Sequence, residues 1–179
     1  MADLTSNYLG MQLKNPLVPS SSPLSKHLDS ARALEDAGAG ALVMHSLFEE
    51  KIEEEDANLA RFFHQQSLGH GEAESFHPVP ENYLSYEEKY LEHLEALKSA
   101  LEIPVIASLN GTTPGGWVTY ARALQEAGAD ALECNVYYIP ASCAEDGRAV
   151  EARYLEILTG LREQITIPIT MKLSPQFSS

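Results

Sequence analysis

Polar side chains stand at the carboxyl end of each apolar segment that the sequence predicts to be a strand. They are Ser20, Ser21, His45, Ser46, Ser108, Asn110, Asn135, Tyr137, Lys172 and Ser174. In parallel α/β folds these strand ends meet at one rim, and ligands bind there. Serine and asparagine also end strands for reasons of turn chemistry, but five polar ends together favour a site for a polar ligand.

Lys172 is the most informative of these residues, because it is a charged residue at the end of the apolar segment 167–173. A lysine at such a place either extends to solvent or contacts an anion. Beside four other polar strand ends, an anionic ligand group is the better interpretation. A lysine in this position could also form a Schiff base with a carbonyl substrate, which is the chemistry of a barrel lyase.

A repeated pattern predicts the elements that position these residues. The segments Ala33-Leu-Glu-Asp-Ala-Gly-Ala and Ala123-Leu-Gln-Glu-Ala-Gly-Ala each run from a helix end through a glycine into an apolar strand. Helix, glycine stop and strand in alternation are typical of a parallel α/β protein. The predicted strands are 17–21, 41–46, 103–109, 131–136 and 167–173. The predicted helices cover 27–37 and 150–163, begin at a capping box on Ser85, and begin near Pro114; Ser25 is a candidate cap for the first of them.

Five strands and four helices in alternation predict a (β/α)8 TIM barrel, present as a partial barrel, since a complete one has about 250 residues. We expect residues 1–179 to form a single domain. A hairpin within 1–14 would close the bottom of the barrel, and residues 47–84 would form a long loop or lid, because they lack sustained periodicity. An open five-stranded sheet is the competing architecture.

Composition limits the classes of function. The formal net charge of −14, with 12 Lys and Arg scattered along the chain, argues against binding a nucleic acid or an anionic membrane. Two cysteines provide no disulfide framework. No signal peptide is evident and no apolar run approaches the roughly 20 residues that span a bilayer, so we expect a cytoplasmic protein that acts on a small molecule.

A metal site is not expected. His64, His70 and His77 fall in one predicted loop with carboxylates nearby. Their spacing matches none of the close-set zinc patterns, and scattered loop histidines are usually solvated.

The order of the strand ends resembles a known family. Lys14-Asn-Pro-Leu-Val followed by Ser20-Ser21, then Ala107-Ser-Leu-Asn-Gly, Glu133-Cys-Asn-Val and Met171-Lys-Leu-Ser-Pro, is similar to the class 1 dihydroorotate dehydrogenases and their flavoprotein relatives. The resemblance covers the whole chain as the N-terminal half to two-thirds of the family's barrel. It implies FMN as cofactor, hydride transfer from substrate to flavin, and a place in pyrimidine biosynthesis.

The same resemblance implies roles for individual residues. Asn135 and Lys172 would contact the isoalloxazine ring, and Ser21 would lie beside it. The other candidates for cofactor binding are the strand-end residues Ser20, His45, Ser46, Ser108 and Asn110.

The chain also departs from the family. His45 stands where the family has a lysine, and the loop that supplies the catalytic base reads Asn135-Val-Tyr-Tyr-Ile-Pro. Tyr138 takes the place of the base, although a tyrosine with its usual pKa near 10 accepts protons poorly. Cys143 and Ser142, a few residues on, could substitute for the base, although their spacing differs from that of the family. The catalytic candidates are therefore Lys172, Tyr138 and Cys143, and the substrate is open because the segment that grips orotate is not recognisable.

The pattern lacks the last units of a barrel, including the loops after strands seven and eight that commonly hold a ligand phosphate. We therefore expect the chain by itself to bind FMN weakly and to be inactive. A second hypothesis is a non-catalytic partial barrel that assembles with another copy or a partner through its bare edge strands. The third is a Schiff-base lyase that uses Lys172.

Overall fold

The computed structural model describes residues 2–67, 83–141 and 144–174, and for 62–67 only the backbone. Its elements in chain order are β1 (Ser6–Tyr8), β2 (Met11–Leu13), a 3₁₀ helix (Pro23–Lys26), α1 (Leu28–Asp36), β3 (Leu42–Phe48), α2 (Glu49–Ser67), α3 (Tyr86–Ala100), β4 (Val105–Asn110), α4 (Pro114–Glu126), β5 (Ala131–Asn135), α5 (Gly147–Gln164) and β6 (Ile169–Lys172). The strands β3, β4, β5 and β6 form one parallel sheet in that order. The predicted alternation of parallel strands and helices is therefore confirmed.

Local sequence signals set the ends of several elements. Ser85 and Glu88 form the predicted capping box at the start of α3, and Thr113 caps α4 just before its first residue, Pro114. Gly38 and Gly128 adopt φ angles of +103° and +94°. Only glycine adopts such angles readily, which explains why both repeated segments end their helix there.

The predicted hairpin is present and uses a tight turn. Leu9 and Gly10 both have positive φ angles, of 53° and 77°. A two-residue turn of this kind matches the twist of the two short strands that it joins. The hairpin then packs Leu13, which is buried, against the inner face of the sheet.

The first predicted strand, 17–21, is not a regular strand, so the described residues contain four parallel strands instead of five. The segment nevertheless lies alongside the start of β3. The backbone N–H groups of Gly40 and Val43 donate to the carbonyls of Leu17 and Pro19, at 2.8 and 3.1 Å. Pro19 has no N–H to return a hydrogen bond, and this prevents a full ladder.

The long loop predicted at 47–84 is wrong over its first part, because Glu49–Ser67 is a helix. Apolar residues are sparse in this helix, with Ile52 buried and Leu59 partly buried, so the sequence shows little helical periodicity. Its carboxylates compensate, since Glu49 and Glu50 lie in the first turn, where a helix favours negative charge. Residues 68–82 lie outside the described residues, and the lid stays a prediction.

The two faces of the sheet contain different cores. The face toward the helices is packed with large apolar side chains such as Leu109, Leu132 and Leu124 of α4. The inner face holds a small cluster near the start of the strands, formed by Leu13, Ala41, Val43, Ile106 and Ala131. Farther along the strands, the inner face becomes polar, and this is where the candidate site lies. In the described part of the chain, none of the helices combines the length and the apolar character that a membrane crossing requires.

Candidate functional site

A cavity of about 660 Å³ lies at the carboxyl ends of the strands. Its inner rim consists of Ser21, Ser46, Asn110, Asn135 and Lys172. The sequence predicts these residues at five separate strand ends, and the structure brings all of them to one cavity. This volume is within the range that proteins use for small-molecule ligands.

A hydrogen-bond network joins the rim across the strands. The Asn135 side-chain amide donates to the hydroxyls of Ser46 and Ser108, at 3.1 and 2.8 Å. The Ser46 hydroxyl in turn lies 2.9 Å from that of Ser108 and 3.2 Å from that of Ser21. Because Ser108 is fully buried, it lies beneath the rim and holds Asn135 in place.

The Asn135 amide takes part in the network through its nitrogen. Its nitrogen is committed to the two serines, and its oxygen Oδ1 is buried without a hydrogen-bond partner among the described residues. The Asn110 Oδ1 atom is in the same condition. Buried polar atoms are nearly always paired in proteins, so two unpaired acceptors on residues that line one cavity are unusual.

A β-bulge places Ser46 in this network. The register between β3 and β4 shifts between Val43 and Ser46, so that Val43 packs in the inner cluster and Ser46 also reaches the inner rim. Strict alternation would direct residues 43 and 46 to opposite faces. The irregularity thus brings a hydroxyl to the rim and turns His45 toward the neighbouring 3₁₀ helix.

Lys172 carries the positive charge of the inner rim. Its ammonium group lies 3.6 Å from Glu133 Oε1, and the Lys172 side chain is 41% exposed. The same Glu133 oxygen accepts a hydrogen bond of 3.4 Å from Ser108. Lys172 and Asn135 are close in space because they end adjacent strands, where Asn135 is in register with Lys172.

His45 is held beside the rim by three neighbours. Its backbone N–H donates to the Ser25 hydroxyl at 2.6 Å, and its carbonyl accepts from the Tyr90 hydroxyl at 2.7 Å. The His93 ring nitrogen Nε2 donates to the Ser25 carbonyl at 2.6 Å. Ser25 is therefore a buried linker and not the helix cap that the sequence suggests; Ser22 instead caps the 3₁₀ helix.

The His45 imidazole is neutral at physiological pH. Burial, followed by the positive charges of His93, Lys26 and Lys51, lowers the pKa of His45 to about 4. A neutral imidazole can accept or donate a hydrogen bond but adds no charge to the cavity.

Some predicted site residues are not at this cavity. Ser20 lines a second cavity of about 530 Å³, which shares Lys172 with the first. Tyr138 is outside the lining as well, and its hydroxyl donates to Glu145. That hydrogen bond raises the pKa of Tyr138, so its placement as the catalytic base is not supported; its neighbour Tyr137 lines the cavity instead.

Other candidates fall where the structure gives no side-chain description. Cys143, His70 and His77 lie outside the described residues, and His64 is described only as part of the α2 backbone. The substitution of Cys143 for the base and the expected absence of a metal both stay predictions.

Sequence reasoning missed the outer wall of the cavity. Lys26, Lys51, Lys89, Tyr86 and His93 line it from the 3₁₀ helix, α2 and α3. The signal that could have found Lys51 is its position as the one basic residue within the acidic run 49–56. The others come from elements far apart in sequence, and only folding brings them together.

Comparisons with known proteins give weak sequence similarity to a dehydrogenase subunit and a similar fold. No model of a known protein family matches the chain. The NAD-dependent dihydropyrimidine dehydrogenase subunit PreA of Escherichia coli K12 is 29% identical over 145 residues, which are 74% of this chain and 32% of the relative. The chain therefore spans about a third of the length of the curated relative that it matches.

Among solved structures, a Pseudomonas aeruginosa protein described as a dihydrodipicolinate synthetase aligns with a TM-score of 0.50 and 19% identity, over 90% of this chain and 45% of that one. Dihydrodipicolinate synthase from Bacillus clausii aligns with a TM-score of 0.47, 16% identity and coverage of 91% and 45%.

The predicted fold class, a partial TIM barrel, is confirmed. The parallel strands follow each other in the order β3-β4-β5-β6, and the Pseudomonas aeruginosa structure aligns over 90% of the chain. The expected family is supported only in part. The sequence relative is a dehydrogenase subunit, whereas the Pseudomonas aeruginosa structure is named for a different enzyme. The similarity in sequence to an oxidoreductase is weak, and the structural similarity concerns the fold.

Proposed function

We propose that this chain is the ring-binding part of an FMN-dependent oxidoreductase that passes a hydride from a small-molecule substrate to the flavin. The weak similarity to a dehydrogenase subunit supports this class of reaction. The chain covers about a third of that relative, so the activity of a whole protein is part of the proposal. The contacts of Asn135, Asn110 and Lys172 support the choice of cofactor.

The observation that carries the proposal is the pair of orphaned acceptors, Asn110 Oδ1 and Asn135 Oδ1. Leaving a buried acceptor unpaired costs about 1–3 kcal/mol, and a ligand donor at this position offsets that cost. The isoalloxazine ring supplies one N–H donor, between the two carbonyls of its pyrimidine edge, and this group can pair with one of the two acceptors. The serine network holds the Asn135 side chain at the wall of the cavity.

Lys172 suits the charge that this chemistry produces. When bound, FMN supplies the hydride acceptor, and its reduced ring carries negative charge that a preformed cation stabilises. Glu133, at 3.6 Å, orients the ammonium group. The negative charge of Glu133 also offsets part of the positive charge of Lys172. We therefore expect Glu133→Gln to make the electrostatic potential at the inner rim more positive.

Titration of the 179-residue chain with riboflavin and with FMN, followed by flavin fluorescence, tests the proposal. If only the ring is held, both flavins bind with similar affinity. Asn135→Ala should weaken riboflavin binding about tenfold, which is the effect of a hydrogen bond worth about 1.4 kcal/mol. The control Asn58→Ala changes an exposed amide on α2 outside this cavity. Absence of riboflavin binding, or equal losses in the two variants, would contradict the proposal.

A Schiff-base lyase is the second candidate. The observation that favours it is Lys172 at a strand end in a cavity, and the barrel fold is as compatible with a lyase as with a flavoprotein. Schiff-base chemistry needs a neutral amine, and the Lys172 nitrogen lies 3.6 Å from Glu133 Oε1. Borohydride reduction with a small keto acid distinguishes the two, since a lyase gains mass on Lys172 and the Lys172→Arg variant does not.

A further inference from the structure

The outer wall of the cavity is basic although the protein is strongly acidic. Four of the six lysines line the cavity, in a chain with a net charge of −14. Three of them, Lys26, Lys51 and Lys89, form what we call the lysine wall, which comes from the 3₁₀ helix and the first turns of α2 and α3. Among the described residues that line the cavity, none is a carboxylate.

We propose that the lysine wall binds the acidic groups of a substrate that carries two or more negative charges. This inference rests on the proposed function, because it takes the inner rim as the place of the cofactor ring and leaves the wall to the substrate. The ligand chemistry is that of clustered oxyanions, either a dicarboxylate or a phosphate ester. The cavity, at about 660 Å³, is large enough for a small organic anion beside a ring.

Aromatic rings position two of these lysines. The Lys51 ammonium lies 5.5 Å from the centre of the Phe48 ring and 5.7 Å from that of Tyr86, and the Lys89 ammonium lies 5.4 Å from the Tyr83 ring. A ring face attracts a cation without neutralising its charge. The ammonium groups therefore stay available to an anion.

Ion pairing separates the lysine wall from the other lysines. Lys98 pairs with Asp130 at 2.5 Å and Lys172 with Glu133. Within the described parts of the chain, no ion pair includes Lys26, Lys51 or Lys89. Lys89 nevertheless lies close enough to Glu55 to lower the pKa of that carboxyl, and Lys51 lines a neighbouring cavity together with Glu54 and Glu55.

His45 gives a direct readout of this charge. Burial is the main cause of its low pKa, and His93, Lys26 and Lys51 add to the effect. An anion bound at the lysine wall offsets the lysine charges and thereby raises the pKa of His45. The same rise should follow from removing either lysine charge.

The test is a titration of the purified chain, without flavin, with succinate, inorganic phosphate and acetate, followed by the NMR signals of the histidine rings. The variant His45→Asn identifies the His45 signal by its loss. We expect succinate or phosphate to bind and to raise the pKa of His45, and acetate to bind at least tenfold more weakly. The stronger of succinate and phosphate decides between a dicarboxylate and a phosphate ester.

Matched variants locate the site. Lys51→Gln and Lys26→Gln should each weaken binding of the preferred dianion about tenfold, the effect expected for one charge-assisted contact. Lys14→Gln removes the same charge away from this cavity and should leave the affinity unchanged. Equal losses in all three variants, or no dianion binding, would overturn the inference.

Flavin binding separates this inference from the proposed function. Riboflavin should bind Lys51→Gln and the unmodified chain equally. If Lys51→Gln weakens FMN binding but not riboflavin binding, the wall holds the cofactor phosphate and the inference is wrong. If a dianion binds and riboflavin does not, the oxidoreductase proposal fails while the anion site stands.

Discussion

The two faces of strand β5 differ in chemistry although both are buried. Toward the helices the strand presents Leu132 and Cys134, which are fully buried among apolar side chains. Toward the barrel interior it presents Glu133 and Asn135, which are 9% and 4% exposed. Burial therefore does not distinguish the two faces, whereas polarity does.

The two faces of the sheet therefore contribute to different properties of the protein. The helix-facing side removes apolar surface from water, which is the main favourable contribution to folding. The inner side, beyond the small cluster around Leu13, commits buried polar groups to each other through Ser46, Ser108 and Asn135. Such a network is costly unless a ligand completes it, so we expect substitutions on one side to affect stability and on the other to affect binding.

The largest expected effect is on the helix-facing side. Leu132→Ala should lower the free energy of unfolding by about 2–5 kcal/mol, because the lost methyl groups leave a cavity in a close-packed core. Leu155→Ala, at a position that is 64% exposed, is the control and should change it by less than about 0.5 kcal/mol. Urea unfolding measures both, and similar losses would show that the two sides are not divided as described.

A smaller effect is expected at Glu49, a buried carboxylate where α2 meets α4. It accepts hydrogen bonds from the backbone of Thr112 and, at 3.0 and 2.5 Å, from the backbone and hydroxyl of Thr113. Glu49→Ala should cost about 2–3 kcal/mol, since these bonds involve a charged acceptor. The control Glu50→Ala removes an exposed carboxylate from the same first turn.

The pH dependence gives a second check on Glu49. Burial raises the pKa of its carboxyl, but the hydrogen bonds from Thr112 and Thr113 outweigh burial and hold the pKa below 4.5. The stabilisation is therefore complete above pH 4.5 and is lost as the pH falls through the lower pKa of the folded state. Unfolding free energies of Glu49→Gln and the unmodified chain should converge at acid pH, and a constant difference would contradict this.

Like Glu49, His45 should make the fold less stable as the pH falls. In His45 the form that folding favours is the neutral imidazole, whereas in Glu49 it is the charged carboxylate. The pKa of His45 falls from 6.5 to about 4 on folding, so the unfolded chain binds more protons between these values. Stability is therefore full above about pH 6.5 and decreases as the pH falls toward 4. The variant His45→Gln should show a shallower decrease between pH 6.5 and 4.5 by urea unfolding, and parallel curves would contradict the assignment.

Much of the fold could be predicted from sequence because its signals are local. The capping box of Ser85, the stops at Gly38 and Gly128, and the turn at Leu9 and Gly10 each depend on a few neighbouring residues. The strand ends of the inner rim could be predicted as well, because parallel topology brings them together. The prediction failed at Glu49–Ser67, where carboxylate and backbone contacts, and not an apolar stripe, hold the helix.

The rest of the site depends on contacts that sequence does not display. The lysine wall comes from three elements, and its members Lys26 and Lys89 are 63 positions apart. Ser46 reaches the rim through a β-bulge, and Tyr138 lies outside the lining of the cavity, with its hydroxyl donating to Glu145. Tertiary packing decides all three.

The smallest effect on stability is expected at Ser108. Its neighbour Leu109 packs on the helix-facing side, so variants at these two adjacent positions compare the two faces of the sheet directly. Ser108→Ala removes a hydroxyl that lies 2.8 Å from the Asn135 nitrogen and 2.9 Å from the Ser46 hydroxyl. Since Asn135 still donates to Ser46, the free energy of unfolding should fall by only about 0.5–1.5 kcal/mol, against about 2–5 kcal/mol for Leu109→Ala. Riboflavin affinity should show the reverse order. Ser108→Ala removes one of the two hydrogen bonds that the Asn135 amide donates, whereas Leu109→Ala leaves both in place. If the leucine variant, measured while still folded, loses as much riboflavin affinity as the serine variant, then binding and stability are not separated between the two faces of the sheet.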